Sequence, residues 1–463
     1  MAEPNSKGGY HMKERKKKDV AGNMEDRISG LPDEILVSIL SLLSLKEAQA
    51  TSILSRRWHY VWAFSTTLNF DAEQRLIRFC KPKSDREREL GLCMYVDWVD
   101  SVLNQHRVAN IERFRIAFEL GPRSCIDKWI QFAMRKGVQI LELDLSAILY
   151  PWGLQYKFSN QVLGISEFSS FKALCSEYIG FKFLKVLDFN RVDVDQDILE
   201  YFIYNCPVLE RVAVCDSSLM VNLRVVGQSI ALKYLTIQQC LNLKSIEICE
   251  ANLISFTYGG DLEKLLLRNL PLLVEISLSG MTRITGWSAK IDFSYLSCCL
   301  SQLEILKINY IILWGETDPV IPSLPNLKCL ELAFDEDNNY ALLHIAFFIK
   351  QTPCLHTLVM KFRSWRCPKN PFAKKRAARY SHDCLKVVKF LEYSGLSRQI
   401  ELVKYLMKTA SNLEKIIFDP VNRQYSGVHR LLFPHIVEME ELSRAEAHQL
   451  KEKLPATLDV VCQ

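Results

Sequence analysis

One short pattern recurs along most of this chain: apolar, two variable residues, apolar, one variable residue, apolar. It opens at Ile111 (Ile-Glu-Arg-Phe-Arg-Ile), Ile140, Leu184 (Leu-Lys-Val-Leu-Asp-Phe), Leu209, Leu232, Leu243, Leu253, Leu262 and Leu273. It returns at Leu303, Leu327, Leu355, Leu385 and Leu413. The alternation closing each unit reads as a short strand with one buried face. No single unit can cover its own apolar side, so the units must stack into a quasi-one-dimensional array. A single core seldom grows past roughly 250–300 residues. Stacking is therefore how a chain of 463 residues can stay one continuous fold.

Repetition of these leucines from residue 111 to residue 418 reads as leucine-rich repeats. Between Leu232 and Leu273 the units come too close together for one solenoid turn each. Alternate units there are 21 and then 20 residues apart, within the roughly 20–29 of a full turn. This stretch is expected to place strands on both the concave and the convex side. Wider gaps leave room for helices, which residues 195–203 and 341–349 supply. The Asn/Cys position, eight residues after the first leucine, is met at Cys240 but is filled by Val192, Ser217, Asp335 and Val421 elsewhere. The usual side-chain ladder is missing, which predicts irregular turns.

Ahead of the repeats the texture differs. Residues 1–22 hold Lys13-Glu14-Arg15-Lys16-Lys17-Lys18 and almost nothing to bury, which predicts a disordered tail. It serves either as a nuclear-import signal or as a solvated tail without an address. From Leu31-Pro32-Asp33-Glu34 a helix is expected, with Pro32 in its first turn and the two acids facing the positive end of the helix dipole. Ile35, Leu36, Ile39, Leu40 and Leu43 give it a broad apolar stripe. Ser44-Leu45-Lys46-Glu47 fits a capping box for a second helix running to about Ile53. A third begins at Ser55-Arg56-Arg57-Trp58, with Trp58 and Trp62 one turn apart. Three short helices cannot bury this much apolar surface among themselves, so part of it must meet a partner or the rest of the chain.

The string Asp26-Arg27-Ile28-Ser29-Gly30-Leu31-Pro32-Asp33-Glu34-Ile35-Leu36, followed by Thr51-Ser52-Ile53-Leu54-Ser55-Arg56-Arg57-Trp58, resembles the plant F-box. With the repeats behind it, the chain resembles plant F-box/LRR proteins. The resemblance implies docking onto a Skp-family adaptor, and through it onto a cullin, in an SCF-type ubiquitin ligase. Carried over residue by residue, Leu31, Pro32, Ile35, Leu36, Ile39, Leu40, Leu43 and Trp58 become the adaptor-facing or interface-shaping positions. Some of them serve instead, or also, to hold the three helices together. At the other end, residues 384–395, 401–407 and 412–418 read as strand, helix, strand, similar to the FBD segment that closes many such proteins. Their expected task is to cap the open end of the solenoid.

Four regions follow: a basic tail (1–22), an F-box (23–65), a leucine-rich-repeat solenoid (66–380) and an FBD-like cap (381–463). The fold class is α/β, a small three-helix module followed by an irregular solenoid with a strand-helix-strand cap.

The net charge of +5 divides unevenly: +3 in residues 1–20, +8 in residues 361–380, and −6 over the remainder. An acidic body carrying two basic segments argues against a nucleic-acid-binding face. Arg363, Arg366, Lys374 and Lys375, with Trp365 and Phe372 among them, suit phosphate or acidic-peptide recognition. The same residues also read as a long solvated loop, or as a second import signal at Lys374-Lys375-Arg376. No apolar run reaches the ~18–20 residues of a membrane span, and no secretory signal opens the chain. The 15 cysteines form no C-x-x-C pair, and adjacent Cys298 and Cys299 would point to opposite faces of a strand. Cys206-Pro207 and Pro353-Cys354, just ahead of repeat strands, are expected to be buried.

No phosphate loop, nucleophile elbow or zinc motif appears. We therefore expect a non-catalytic substrate receptor without a cofactor, in nucleus or cytoplasm, binding an unidentified substrate protein through variable strand positions and residues 146–172 and 361–380. A ligand-gated receptor and an F-box/LRR scaffold with no part in degradation remain as alternatives.

Overall fold

The computed structural model describes residues 28, 30–71, 85–117, 123–146, 155–164, 181–228, 230–260, 264–279, 293–309, 321–335, 341–363, 380–422 and 435–463. The expected disordered tail lies outside the described residues. The chain divides into two compact units, Met1–Phe64 and Ser65–Gln463.

In the first unit, α1 (Asp33–Leu40), α2 (Leu45–Ala50) and α3 (Trp58–Val61) are joined and followed by single 3-10 turns, Thr51–Ile53 and Trp62–Phe64. Pro32 stands just outside α1 as its capping residue, one position earlier than the sequence suggests. The capping box of α2 is complete: Glu47 N–H donates to Ser44 Oγ at 3.3 Å, and Ser44 N–H donates to Glu47 Oε2 at 3.0 Å. The Ser44 hydroxyl, donating to the same carboxylate at 2.7 Å, together with the Ser44 N–H holds the Glu47 carboxyl below its ordinary range. The α-helix ends at Ala50, and the tighter turn carries the chain on to Ile53.

The second unit contains β1 (Thr67–Asp71), β2 (Arg113–Ala117), β3 (Ile140–Asp144), β4 (Tyr156–Lys157), β5 (Val186–Asn190), β6 (Val192–Asp193), β7 (Arg211–Cys215), β8 (Asn222–Val226), β9 (Tyr234–Gln238) and β10 (Ser245–Cys249). It continues with β11 (Ser255–Gly259), β12 (Lys264–Arg268), β13 (Glu275–Ser279), β14 (Ile305–Asn309), β15 (Cys329–Asp335), β16 (Thr357–Arg363), β17 (Val387–Leu391), β18 (Lys415–Asp419) and β19 (Asp459–Cys462). Its helices are α4 (Asp85–Gln105), α5 (Arg123–Arg135), α6 (Gln196–Asn205), α7 (Ala341–Gln351), α8 (Ser397–Thr409) and α9 (His435–Lys451). Fourteen strands make one parallel sheet in the order β1-β2-β3-β5-β7-β9-β11-β13, then β14 through β19 in sequence. The close-spaced stretch splits as its spacing predicts. There β7, β9, β11 and β13 stay in the main sheet, while β8, β10 and β12 form a second, smaller one.

Residues 381–463 carry the main sheet on to its end. β16 pairs with β17 residue for residue, and β17, β18 and β19 prolong the same sheet. Two registers also differ from the sequence reading. The unit placed at Ile140 begins at Val138, because Val138, Leu141 and Leu143 are buried while Ile140 lies beside Arg113 on the open face. Cys298 and Cys299 lie in a turn rather than a strand, where the Cys299 thiol donates to the Leu296 carbonyl and turns inward.

Two devices hold successive turns in line without the expected ladder. An Asn or Gln immediately before the first leucine of a unit donates to a carbonyl of the preceding turn. Asn242 reaches Ser218 (2.7 Å), Asn252 reaches Gln228 (3.1 Å), Asn326 reaches Ser301 (2.7 Å), and Asn412 reaches Asp383 (2.8 Å). Gln302 reaches Leu270 in the same way. Where the chain leaves a strand, Arg191, Asp216, Gln239 and Glu250 adopt positive φ of 54–58°. L-residues disfavour that conformation. Here each such N–H donates to the next strand's last carbonyl, as Arg191 does to Cys215 at 2.9 Å, adding one rung beyond the strand. At Val192, Ser217 and Cys240 the position that should hold Asn/Cys is buried all the same. Ser217 satisfies its hydroxyl there by accepting from Val194 N–H at 3.0 Å and donating to Val194 O at 3.1 Å.

Helix α7 buries His344 against Phe334, ring on ring at 6.3 Å. Burial pushes the imidazole down to about 4. The unfolded chain takes up this proton near pH 6.5, so between the two values the unfolded state holds more protons. Stability from this residue is therefore full above pH 6.5 and falls by about 3 kcal/mol as pH drops to 4. Denaturant unfolding at pH 7 and pH 4 should show a smaller decline in His344→Leu than in the native chain. Equal declines would remove His344 from the account.

Candidate functional site

The helical unit sorts its apolar residues by i, i+4 pairs. Leu36 and Leu40 point inward and are buried with Leu45, Ala48, Trp58, Val61 and Trp62. One residue earlier on the same helix, Ile35 and Ile39 are exposed, as is Leu43 just beyond it. Pro32 is exposed and Leu31 half-buried. Of the eight positions expected at an interface, Leu36, Leu40 and Trp58 thus have no side-chain surface left to offer in this unit. They support the surface rather than form it. Leu42, Ile53 and Leu54 form part of it without having been singled out: they are 86%, 88% and 65% exposed. Six aliphatic side chains on so small a unit exceed what scattered surface leucines explain.

Arg57 fixes the start of α1 from below. Its guanidinium donates to Asp33 Oδ1 from Nε (3.0 Å) and Nη2 (2.6 Å), and also to the Leu31 carbonyl. Ser55 Oγ accepts from Trp58 N–H at 3.3 Å and seats the indole-bearing helix. The Arg57 bonds join residues that lie more than twenty positions apart.

In the second unit the variable strand positions form the open face of the main sheet, because β-alternation sends the leucines to the other side. At its N-terminal end Arg113 grips Glu142 with two bonds (2.6 and 3.1 Å), and Arg115 meets Asp71 at 2.6 Å. Asp188 lies beside Glu142 in the sheet register. Burial, with Glu142 and Asp144 nearby, raises its carboxyl above the ordinary range. Further along, Lys307 pairs with Glu275 (2.6 Å) and Lys361 with Glu392 (2.9 Å). Arg363 ends β16, paired in register with Asp335. Arg366, Lys374 and Lys375 lie outside the described residues, as do most of residues 146–172 and 361–380.

Among the described residues no group of three or more His, Cys, Asp or Glu is placed to hold a metal ion. No described helix is long and apolar enough to cross a membrane. Burial pushes the Cys206 thiol up to about 12 and Cys240 to about 11, far from nucleophilic use. Cys354 departs from expectation: it is exposed at the turn before β16 rather than buried.

Comparison with known proteins follows this division. Residues 28–65 match the F-box domain model, and residues 102–457 match the LRR domain model of the At1g61320/AtMIF1 type. The chain is similar to the Arabidopsis thaliana F-box/LRR-repeat protein At2g42730, with 25% identity over 86% of this chain and 92% of that one. It resembles the putative F-box/FBD/LRR-repeat protein At3g59240 of the same plant at 27% identity, over 87% of this chain and 85% of the relative. With the Arabidopsis F-box/LRR-repeat protein At3g58900 it shares 31% identity over 65% of this chain and 88% of the other. An F-box of three helices, a parallel repeat sheet and these matches together make the chain a member of the plant F-box/LRR-repeat family.

Proposed function

We propose that this protein is the substrate-recognition subunit of an SCF-type ubiquitin ligase, non-catalytic in itself. The observation that carries the reading is the aliphatic surface of the helical unit, where Ile35, Ile39, Leu42, Leu43, Ile53 and Leu54 stand in solvent. Such a surface is costly unless covered, and the Skp-family adaptor is the partner to cover it. The adaptor brings a cullin, and the open face of the main sheet takes the substrate protein. Rate enhancement then comes from proximity, since a captured substrate sits at high effective concentration beside the conjugating enzyme. Nucleus or cytoplasm is the place of action.

The test is co-purification from plant cells. The full chain is expected to bring down a Skp-family adaptor and a cullin, and a chain lacking residues 1–64 to bring down neither. Proteins captured by the full chain should accumulate both on its loss and on proteasome inhibition. Absence of the adaptor from the wild-type preparation would sink the proposal.

A further inference from the structure

The amide ladder that ties successive turns is interrupted ahead of β16 and β17. Asn326 reaches back to the Ser301 carbonyl, and Asn412 to the Asp383 carbonyl. The two turns between them carry cysteine at the same register position, immediately before Leu355 and Leu385. A thiol is too weak a donor to replace the amide. Cys354 and Cys384 are both exposed and free.

Register sets these two residues opposite each other. Thr357 of β16 pairs with Val387 of β17, and each cysteine stands three residues ahead of its strand. The alignment holds ahead of the strands as well. Two residues before the cysteines, His382 Nε2 donates to the Thr352 carbonyl at 2.8 Å, while its Nδ1 accepts from Leu385 N–H at 3.1 Å. Two residues after them, Lys386 N–H donates to the His356 carbonyl at 3.0 Å. The turns are thus tied on both sides of the pair, and His382 is itself buried. Neighbouring strands stand about 4.8 Å apart, within the roughly 4.4–6.8 Å between Cα atoms that a disulfide spans. The other described cysteines have no such match. Cys206, Cys240 and Cys299 are buried. Cys215 lies between Asn190 and Gln238, Cys249 between Val226 and Arg268, and Cys329 between Ile305 and Thr357.

We propose that Cys354 and Cys384 are a thiol-oxidation site, closed by hydrogen peroxide into a reversible disulfide that supplies a covalent rung where the amide ladder is interrupted. One thiolate attacks the peroxide O–O bond and keeps one oxygen as a sulfenic acid, and the other oxygen leaves as water. The second thiol then attacks that sulfur, forms the S–S bond and expels the remaining oxygen as a second water. The two sulfurs together lose two electrons, the peroxide gains them, and both thiol protons end in the waters. Two molecules of glutathione reverse the step by thiol–disulfide exchange and leave as glutathione disulfide. In a compartment that keeps thiols reduced, such a bridge is transient and reports the oxidant level. Closing it fixes the two turns that lead into β16 and β17, and so stiffens that end of the open face.

Brief treatment of the purified full chain with equimolar hydrogen peroxide, then digestion without reductant and mass spectrometry, tests this. A peptide linked through Cys354 and Cys384 should be the main oxidised product and should disappear on adding glutathione. Oxidation should raise the melting temperature of the native chain by about 2–6 °C, because the bridge restricts the unfolded chain. It should leave Cys354→Ser and Cys384→Ser unmoved. Both side chains stand in water, so the reduced serine variants should melt with the native chain. Dibromobimane, which turns fluorescent on bridging two nearby thiols, checks the spacing without an oxidant, and its signal should fall in both variants. Separate oxidation of the two thiols, cross-links to other cysteines in place of this one, or an unchanged bimane signal in the variants would overturn the proposal. None of these readouts needs the adaptor, so failure here leaves the adaptor-docking test untouched.

Discussion

Phe202→Ala is expected to destabilise the repeat unit by about 3–5 kcal/mol, the range for removing a buried phenyl ring. Phe202 is fully buried on α6 and is the hub of a ring cluster, at 5.4 Å from Phe181, 5.8 Å from Phe158 and 6.4 Å from Phe189. Asp195 fixes the helix that presents it, its carboxylate accepting from Ile198 N–H at 3.0 Å. The cavity left by the ring cannot collapse easily, because Phe189 belongs to β5 and is tied to both neighbouring strands. Phe202→Leu keeps most of the volume and should cost about 1–2 kcal/mol. In a stacked array the damage should spread only to adjacent turns. Hydrogen exchange should therefore accelerate in β3, β5 and β7 and stay unchanged in β17 and β18. A denaturant-measured loss below about 1 kcal/mol would show that the cluster does not carry this part of the core.

The second large effect concerns binding. Ile53→Asp with Leu54→Asp is expected to weaken capture of a Skp-family adaptor by about 100-fold or more, since two charges would enter an apolar contact. Both side chains already stand in water, so stability should change by no more than about 0.5 kcal/mol per site. Leu36→Ala makes the contrast. Leu36 is fully buried, and its truncation should cost about 2–5 kcal/mol and weaken binding only by unfolding the helices. Titrating purified adaptor against both variants, with circular dichroism as the folding control, separates surface from support. Unchanged affinity in the double aspartate variant would place the adaptor elsewhere.

The repeats were legible because a strand buried on one face must alternate, and Leu184, Leu303 and Leu327 each open such an alternation. The first and last strands escaped notice. Ser65 occupies the leading apolar position before β1 and holds it by bonding, its carbonyl at 2.9 Å from His106 Nε2. Thr457 stands at the equivalent place before β19. The Val138 register slipped because Ile140, Leu141, Leu143 and Leu145 offer two overlapping alternations, and only the pairing with β2 chooses between them. In the helical module, periodicity shows Ile35, Leu36, Ile39 and Leu40 as one broad stripe. Which half faces inward depends on where Trp58 and Trp62 pack, a tertiary fact outside any single helix. The amide ladder of Asn242, Asn252, Asn326 and Asn412 rests on residues that precede only four of the leading leucines, so it does not stand out as part of the repeat. Its meaning required the carbonyl that each one meets.

The order of the main sheet bears on how the protein is made. From β14 onward every strand pairs with the one before it in the chain, and earlier strands skip only those that pair among themselves outside the main sheet. Each turn emerging from the ribosome therefore finds its template already folded and waits for nothing downstream. Contacts close over short loops, which keeps their entropic cost low and folding fast for a parallel sheet. Synthesis can then proceed as orderly accretion, with only the newest edge exposed to misassociation at any moment.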